Sequence, residues 1–286
     1  MIKIYGINNT ASPEKVGEEV VVEKYPNGET RIELKHIIPN ESAKYEVVWK
    51  YESDADFLRL LFVSDYIRRH DKRNPSVVLS ILYMPYSRMD RSENGSVYTL
   101  KSACRLINSI EFDVVNVFEP HSAKTAELLN NSNVVDVSDV LATMAMEDVK
   151  NEHPDTPVYL FYPDKGAQAR YEMPDVPYLC GKKVRDFDTG RIVSYEVVDG
   201  EIFKQMNRLT PFNVVIIDDL SSYGGTFVQA SKKLKELGAQ HVYLAVAHAE
   251  ESVYKGKLFD HIDKLYTTNS IINEAQNDKT TMLELF

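Results

Sequence analysis

The sequence is poor in cysteine and has no excess of positive charge, and each shortage excludes a class of protein. Its 286 residues include only two cysteines, Cys104 and Cys180. These give neither a zinc-ligand spacing nor a disulfide framework, so the sequence predicts a reducing cytoplasm as its setting. The formal net charge of −10 argues against a general binder of nucleic acids or anionic membranes, because such proteins carry a basic excess.

Long apolar runs are also missing. No segment approaches the roughly 20 apolar residues needed to span a bilayer, and the N-terminus, MIKIYGINN, lacks the order of a signal peptide. Hydrophobic residues make up 43% and charged residues 27% of the chain, which is typical of a globular protein with a full core. The composition therefore predicts a soluble protein with no nucleic-acid partner and no membrane partner.

Two segments of the chain share the order strand, loop, helix, strand. The first occupies residues 76–121 with its helix at 99–110, and the second occupies residues 213–248 with its helix at 226–237. Both segments finish on a strand that ends with a histidine. Their apolar runs do not alternate with polar residues, which indicates strands covered on both faces. We therefore predict parallel sheets with crossover helices.

The polar stretch at 148–157 contains prolines and lies between these two segments. It predicts two α/β domains, 1–147 and 148–286. The first 55 residues have a different pattern, which indicates short alternating strands. The segment 56–69 has apolar residues at helical spacing and predicts a helix that faces the core.

The stretch 214–227, VVIIDDLSSYGGTF, carries the clearest chemical signal. A strand of β-branched residues runs into Asp218 and Asp219, and a small-residue loop then leads into a helix near Thr226. Ligands of open α/β sheets gather beyond the carboxyl ends of the strands. Glycines let backbone N–H groups approach an anion, and the helix N-terminus adds a positive dipole end. A sugar phosphate fits both features, although the acids and serines could instead only shape a turn and cap a helix.

This pattern resembles the phosphoribosyl-pyrophosphate loop of the type I phosphoribosyltransferase fold. Other segments narrow the resemblance to the ribose-phosphate pyrophosphokinases, or PRPP synthetases. The matching segments come in family order: YPNGE (25–29), PYSRMDR (85–91), FEPH (118–121), YPDKG (162–166), KKVR (182–185) and TTNSI (267–271). The resemblance spans nearly the whole chain. It implies an α/β fold with two phosphoribosyltransferase-like domains, each with a mainly parallel sheet flanked by helices.

The resemblance also implies a reaction. Members of this family transfer the β,γ-diphosphoryl group of ATP to the anomeric hydroxyl of ribose 5-phosphate, which gives PRPP and AMP. Such a transfer needs charge neutralisation and in-line placement more than a nucleophilic side chain. Mg²⁺ is the implied ion, because it is a hard cation that bridges phosphate oxygens. The family's assembly implies a homodimer or a homohexamer.

The resemblance assigns roles to individual residues. It implies that ATP is bound by Tyr25, Asn27, Glu29, Arg88, Asp90, Arg91 and His121. It implies that the ribose phosphate is bound by Asp164, Asp218, Asp219, Ser221, Ser222, Tyr223, Gly224, Gly225 and Thr226. Lys183 and Arg185 would cover the migrating diphosphoryl group, with Lys182 as the alternative to Lys183. His121 and Asp164 would lie at the metal ion.

Each of these roles has a structural alternative. An Arg-x-Asp-Arg motif on a loop is commonly a solvated ion pair, and a histidine at a strand end, such as His121 or His248, is commonly a satisfied turn residue. The KKVR segment has the character of an edge strand with protective lysines. The family order of the motifs favours the functional interpretation in these three cases. Arg105 and Arg170 keep their structural interpretation.

The loop departs from the family pattern at Tyr223. The family usually has Asp-Thr-Ala/Cys-Gly-Thr, whereas this chain has Ser222-Tyr223-Gly224-Gly225-Thr226. A tyrosine carries a large apolar face and places its hydroxyl further out than a threonine does. It therefore either narrows the phosphate pocket or points outward as a platform for stacking.

Three alternatives follow from this departure. The acceptor is ribose 5-phosphate and Tyr223 is a local variation, or the acceptor is ADP-ribose and the product is ADP-ribose 1-pyrophosphate. Phage-encoded relatives use the second chemistry to rebuild NAD. The third alternative is a non-catalytic regulatory subunit, but such proteins usually lose the basic loop or the ATP contacts. A phosphoribosyltransferase that consumes PRPP would have no use for the YPNGE and Arg-x-Asp-Arg segments.

Overall fold

A computed structural model of the chain contains two main sheets of mostly parallel strands, each in its own unit. The structure describes residues 1–7, 16–34, 44–71, 73–185, 192–198 and 211–286, with the backbone alone at 16–17, 183–185 and 192–194. One unit comprises residues 1–135 and Phe286, and the other comprises residues 136–285. None of the helices in these ranges combines the length and the apolar character needed to cross a bilayer.

The first unit is built on a six-stranded sheet. Its elements in chain order are β1 (Ile2–Ile7), β2 (Val16–Glu19), β3 (Val21–Lys24), β4 (Thr30–Glu33), β5 (Lys44–Trp49), α1 (Asp56–His70), β6 (Ser76–Ile81), α2 (Thr99–Asn108), β7 (Val114–Phe118), α3 (Lys124–Leu128) and β8 (Ser132–Val135). Strands β5, β6, β7 and β8 are parallel neighbours in that order. Strand β1 pairs antiparallel with β5 and carries β2 at the edge, while β3 and β4 form a separate hairpin.

Helices α1 and α2 share one hydrophobic core with this sheet. Helix α1 contributes Leu60, Val63 and Ile67 to the core, and this spacing belongs to one helical face. The core-facing helix predicted at 56–69 is therefore confirmed. Helix α2 likewise confirms the helix predicted at 99–110.

Strand β5 does not alternate, contrary to the prediction for the first 55 residues. Every residue from Tyr45 to Trp49 is buried. Both of its faces are covered: Val47 packs in the core with α1 and α2, and on the other face Glu46 accepts a hydrogen bond from Oγ of Ser80 at 2.7 Å. A strand that is covered on both faces has no solvent-facing side, so the alternation is lost.

The second unit is built on a seven-stranded sheet. Its elements in chain order are α4 (Ser138–Glu152), β9 (Val158–Tyr162), α5 (Lys165–Tyr171), β10 (Tyr178–Arg185), β11 (Ile192–Val197), β12 (Phe212–Ser221), α6 (Gly225–Glu236), β13 (Ala239–Ala249), β14 (Lys264–Thr268) and β15 (Thr280–Leu283). The strand order is β11-β10-β9-β12-β13-β14-β15. All neighbours are parallel except β10 and β11, which are antiparallel.

Helices cover both faces of this second sheet. Val214 and Ile216 of β12 belong to the core beneath α6, whereas Val215 and Ile217 belong to the core beneath α4 and α5. Successive residues of a strand point to opposite faces, so both faces must be apolar. This confirms the predicted parallel sheets and the α/β fold class.

Helix α4 crosses the predicted boundary between residues 147 and 148. Its buried residues Leu141, Ala145 and Val149 pack in the core of the second unit, which explains why residues 136–147 group with that unit. The division into domains at 147/148 stays a prediction.

Candidate active site

The paired aspartates lie within β12, near its carboxyl end. Strand β12 pairs with β13 as far as Ser221, but its pairing with β9 stops at Ile216, so the end of β12 extends past that neighbour. Asp218 is partly buried and Asp219 is only 7% exposed. The backbone N–H of Asp219 donates to Oδ1 of Asp218 at 3.0 Å. Both acids therefore lie at the sheet edge where ligands of α/β folds bind.

The phosphate loop, residues 221–226, turns directly into α6. Gly224 has a φ of 74°, and a Cβ there would lie 2.8 Å from Cδ1 of Leu258, so conformation and packing both require glycine. Gly225 has open space where a Cβ would be. The first N–H groups of the twelve-residue helix α6 are therefore approachable, and the positive end of the helix dipole favours an anion there.

The backbone and the ring of Tyr223 have different surroundings. The backbone is packed tightly, because a Cβ on Gly256 would lie 2.9 Å from the carbonyl oxygen of Tyr223. The side chain is 63% exposed. Of the two alternatives for this residue, the exposure favours a ring that points outward over a ring that narrows the pocket.

Asp164 and Asp218 both lie close enough to the buried Tyr195 to raise its pKa. Asp164 caps α5, with Oδ1 accepting a hydrogen bond from the N–H of Ala167 at 3.0 Å. Burial raises the pKa of Tyr195, and the nearby negative charges raise it further, with Asp164 ahead of Asp218. The neutral phenol donates to the carbonyl oxygen of Pro163 at 2.7 Å. The two aspartates thus belong to one edge of the second unit.

The basic segment lies on a hairpin that leaves this same edge. Strand β10 runs parallel to β9 as far as Cys180 and then pairs antiparallel with β11. Gly181 marks the change, and a Cβ there would collide with the hydroxyl of Tyr195. Lys182 is exposed, whereas the side chains of Lys183 and Arg185 lie outside the described residues.

In the first unit, the loop after β6 meets the loop after β7. The hydroxyl of Ser122 donates to Oδ2 of Asp90 at 2.9 Å, and Nζ of Lys124 donates to the carbonyl oxygen of Asp90 at 3.0 Å. Partial burial raises the pKa of Asp90, but the Ser122 hydrogen bond and the charges of Lys124 and Arg91 outweigh burial and lower it. Asp90 is therefore an anion that ties the two loops together, with Arg88 and Arg91 exposed beside it.

His121 follows the end of β7 instead of lying on it. The sequence predicts that this strand ends at His121, but β7 ends at Phe118, so that prediction is wrong. Glu119 takes a φ of 41° and Pro120 follows it, which stops the ladder because proline has no N–H to donate. His121 is exposed on the following loop. The corresponding prediction for His248 is confirmed, since β13 runs to Ala249.

The YPNGE segment forms the turn of the β3–β4 hairpin. The N–H of Tyr25 donates to the carbonyl oxygen of Glu29 at 2.9 Å, and Gly28 has a φ of 91°. Nδ2 of Asn27 donates to Oε2 of Glu29 at 2.7 Å. Tyr25 is 52% exposed, so the turn presents an aromatic ring to the solvent.

The predicted residues thus form separate groups. The second unit brings the phosphate loop, the paired aspartates and Asp164 to one edge, while in the first unit Asp90 contacts the loop after β7 and lies beside Arg91. His121 belongs to the first unit and Asp164 to the second. Among the side chains that the structure describes, no group of three or more His, Cys, Asp or Glu is arranged to hold a metal ion.

Four residues around these groups were not predicted. Ser122 and Lys124 hold Asp90, Tyr195 lies on β11 of the basic hairpin and near Asp164, and Ser252 contacts the phosphate loop. Ser122 and Lys124 lie one and three residues after His121 in the sequence. This proximity to a predicted site residue was the one signal that could have found them.

No family model matches the chain, but curated relatives cover most of it. The ribose-phosphate pyrophosphokinase of Sulfurisphaera tokodaii is 28% identical over 91% of this chain and 87% of its own length. The enzyme of the same name from Pyrococcus furiosus is 26% identical over 88% of this chain and 86% of its own length.

A solved structure shows the same fold. The phosphoribosylpyrophosphate synthetase from Mycobacterium smegmatis matches with a TM-score of 0.70 over 93% of this chain and 86% of its own, at 17% identity. At that identity the likeness concerns the fold alone, and it agrees with the α/β architecture described above.

Proposed function

We propose that this chain, which is similar to ribose-phosphate pyrophosphokinases over about nine tenths of its length, makes PRPP and AMP from ATP and ribose 5-phosphate. In this reaction the anomeric oxygen of the sugar forms a bond to the β-phosphorus of ATP and loses its proton. The bond from that phosphorus to the oxygen bridging to the α-phosphate breaks. AMP leaves with the bridging oxygen.

The phosphate loop is the observation that carries the proposal. Its open backbone at Gly225 and the start of α6 suit the 5′-phosphate, and the carboxylates of Asp218 and Asp219 can accept hydrogen bonds from ribose hydroxyls. A generic turn would not need a left-handed glycine packed on Leu258 beside two acids. The loop therefore favours a sugar phosphate over the capping alternative.

The remaining roles in the proposal follow the family motifs. Arg88, Arg91 and His121, all exposed on two neighbouring loops, would bind the triphosphate. Lys183 and Arg185, on the β10–β11 hairpin, would cover the migrating group. Positioned cations of this kind act by stabilising the charge that develops on phosphate oxygens.

Magnesium fits the donor set of the second unit. The oxygens of Asp164, Asp218 and Asp219 are hard donors of the kind that Mg²⁺ prefers. Because Mg²⁺ usually keeps several waters and binds substrate phosphates together with one or two carboxylates, we propose that the ion is held mainly by ATP phosphates and water. When bound, it neutralises phosphate charge.

We also propose that the enzyme is a cytoplasmic homo-oligomer, either a dimer or a hexamer. The family places the YPNGE turn against adenine across a subunit interface. The exposed ring of Tyr25 and the exposed hairpin that carries it are compatible with that role.

A second candidate acceptor is ADP-ribose, and the exposure of Tyr223 favours it. A ring that is 63% exposed at the edge of a phosphate loop can stack on a base or ring attached beyond the phosphate. The bond made at the anomeric oxygen would be unchanged. The product would be ADP-ribose 1-pyrophosphate, an intermediate for NAD resynthesis.

Release of AMP by the purified protein with Mg-ATP tests both candidates. Ribose 5-phosphate and ADP-ribose are supplied at matched concentrations, with ribose as the control that lacks a phosphate. We expect AMP release that depends on ribose 5-phosphate and is absent with ribose. Release only with ADP-ribose would select the second candidate, and no release with either acceptor would contradict the proposed activity.

A further inference from the structure

The segment after β13 braces the phosphate loop through a chain of polar groups. Oγ of Ser222 lies 3.0 Å from Oγ of Ser252, and Oγ of Ser252 donates to Oε2 of Glu250 at 3.3 Å. The backbone N–H of Glu250 donates to the carbonyl oxygen of Ser221 at 2.9 Å. A carboxylate outside the loop is thereby connected to a hydroxyl inside it.

The number of available hydrogens determines which group donates in each of these hydrogen bonds. A serine hydroxyl has one hydrogen to donate, and an ionised carboxylate can only accept. Since the hydrogen of Ser252 is directed to Glu250, the hydrogen between the two serines must come from Ser222. Ser222 therefore offers lone pairs, and no hydrogen, to a ligand in the loop.

We propose that Glu250 is a positioning residue that acts through Ser252 to make Ser222 a hydrogen-bond acceptor, and that this relay sets which phosphate the loop prefers. The inference rests on the proposed function, in that the loop is taken to hold the phosphate of the acceptor. Phosphate oxygens are acceptors themselves, so the relay withholds one donor from the ligand.

The relay has different consequences for two kinds of phosphate. A terminal phosphomonoester carries more negative charge and three free oxygens, so it loses most when a donor is withheld. A phosphate that is esterified twice has fewer charged oxygens to satisfy and loses less. The relay therefore lowers the preference of the loop for a terminal phosphomonoester.

Two substitutions break the relay by different routes. In Glu250→Gln the amide can donate to Ser252, which frees Ser252 to donate to Ser222 and Ser222 to donate to the ligand. In Ser252→Ala the carboxylate remains, but Ser222 loses its acceptor and its hydroxyl can turn to the ligand. The matched control is Glu251→Gln, because Glu251 is adjacent in sequence and its carboxylate accepts a hydrogen bond from Nε2 of Gln276 at 2.6 Å instead of from a serine of the relay.

Isothermal titration of ribose 5-phosphate into the wild type and the three variants tests the inference. We expect Glu250→Gln and Ser252→Ala each to lower the Kd about fivefold or more, as for one added hydrogen bond to a charged group. Glu251→Gln should leave the Kd unchanged. A parallel titration with ADP-ribose should show a smaller change in both relay variants.

The outcomes separate the relay from simpler effects. If Glu250→Gln tightens binding and Ser252→Ala does not, the lost charge alone explains the result and the relay is overturned. Weaker or unchanged binding in both variants would also overturn it. Thermal unfolding shows whether Glu250→Gln is misfolded, and in that case Ser252→Ala decides, because it leaves the charge of Glu250 in place.

The same titration distinguishes this inference from the proposed activity. Wild-type protein that binds ribose 5-phosphate but releases no AMP would contradict the activity and still allow the relay to be tested. If the wild type releases AMP and the variants bind ribose 5-phosphate as tightly as the wild type does, the relay is overturned and the proposed activity stands. Wild-type protein that binds neither acceptor would overturn the relay, because the loop would then hold no acceptor phosphate.

Discussion

Tyr223 and Gly224 are neighbours in the phosphate loop, yet their surroundings restrict the choice of side chain only at Gly224. A Cβ at Gly224 would collide with Leu258, and its positive φ disfavours other residues. The ring of Tyr223 is mostly in solvent, so its replacement should leave the backbone of the loop in place. Tyr223 is therefore the residue at which acceptor preference can be changed without disturbing the fold.

If Tyr223 selects ADP-ribose as the acceptor, Tyr223→Thr should shift the preference of the enzyme toward ribose 5-phosphate. Stacking of a base on an aromatic side chain contributes about 1–3 kcal/mol, so loss of the ring should lower kcat/KM for ADP-ribose about tenfold relative to that for ribose 5-phosphate. The measurement is kcat/KM for both acceptors in the wild type and the variant. An unchanged ratio would show that the tyrosine does not select the acceptor.

At the residue scale, the sequence predicted the groups that carry a local motif and missed the groups that support them. The loop 221–226 and Asp90 lie in recognisable motifs. Ser252 and Tyr195 have no motif, and each meets its partner across a large separation in sequence. Pairings of that kind depend on tertiary packing, which no single segment of sequence records.

At the scale of helices and strands, the local sequence pattern predicted most of the bounds correctly. The helices at 99–110 and 226–237 and the strands before them are confirmed within a few residues, because apolar periodicity and terminal residues mark them. The bounds of β7 and the pattern of β5 were missed. Glu119 and Pro120 stop β7 early, and packing on both faces buries β5, which was expected to alternate.

The basic segment of the β10–β11 hairpin contains Lys183, whose removal is expected to slow the reaction. Lys183→Ala should lower kcat by about a hundredfold or more, because a positioned cation on developing phosphate charge is worth that much. The KM for ATP should be nearly unchanged, since the role assigned to Lys183 concerns the migrating group. The assay is initial-rate AMP release at saturating Mg-ATP.

Lys182→Ala is the matched control for this substitution. It removes the same charge from the adjacent position of β10, where the side chain is exposed, and it should retain most of the activity. A larger loss in Lys182→Ala than in Lys183→Ala would transfer the catalytic role to Lys182. Full activity in both variants would exclude the hairpin lysines from the reaction.

For the whole molecule, the order of the motifs was more informative than any one of them. Short segments such as YPNGE or KKVR occur by chance, but six in family order along one chain do not. Curated relatives named ribose-phosphate pyrophosphokinase match about nine tenths of the chain at 26–28% identity, which agrees with the resemblance recognised in this way. The grouping of residues 136–147 could not be predicted, because it depends on the core that α4 enters.

The central claim is that the chain moves a diphosphoryl group, and phosphorus NMR of the reaction mixture tests it most directly. The purified enzyme is incubated with Mg-ATP and ribose 5-phosphate until ATP is depleted. Transfer of the β,γ-diphosphoryl group predicts AMP and a sugar that carries a diphosphate on its anomeric carbon, in equal amounts. ADP with a singly phosphorylated anomeric carbon, or ATP that stays intact with every acceptor offered, would contradict the account.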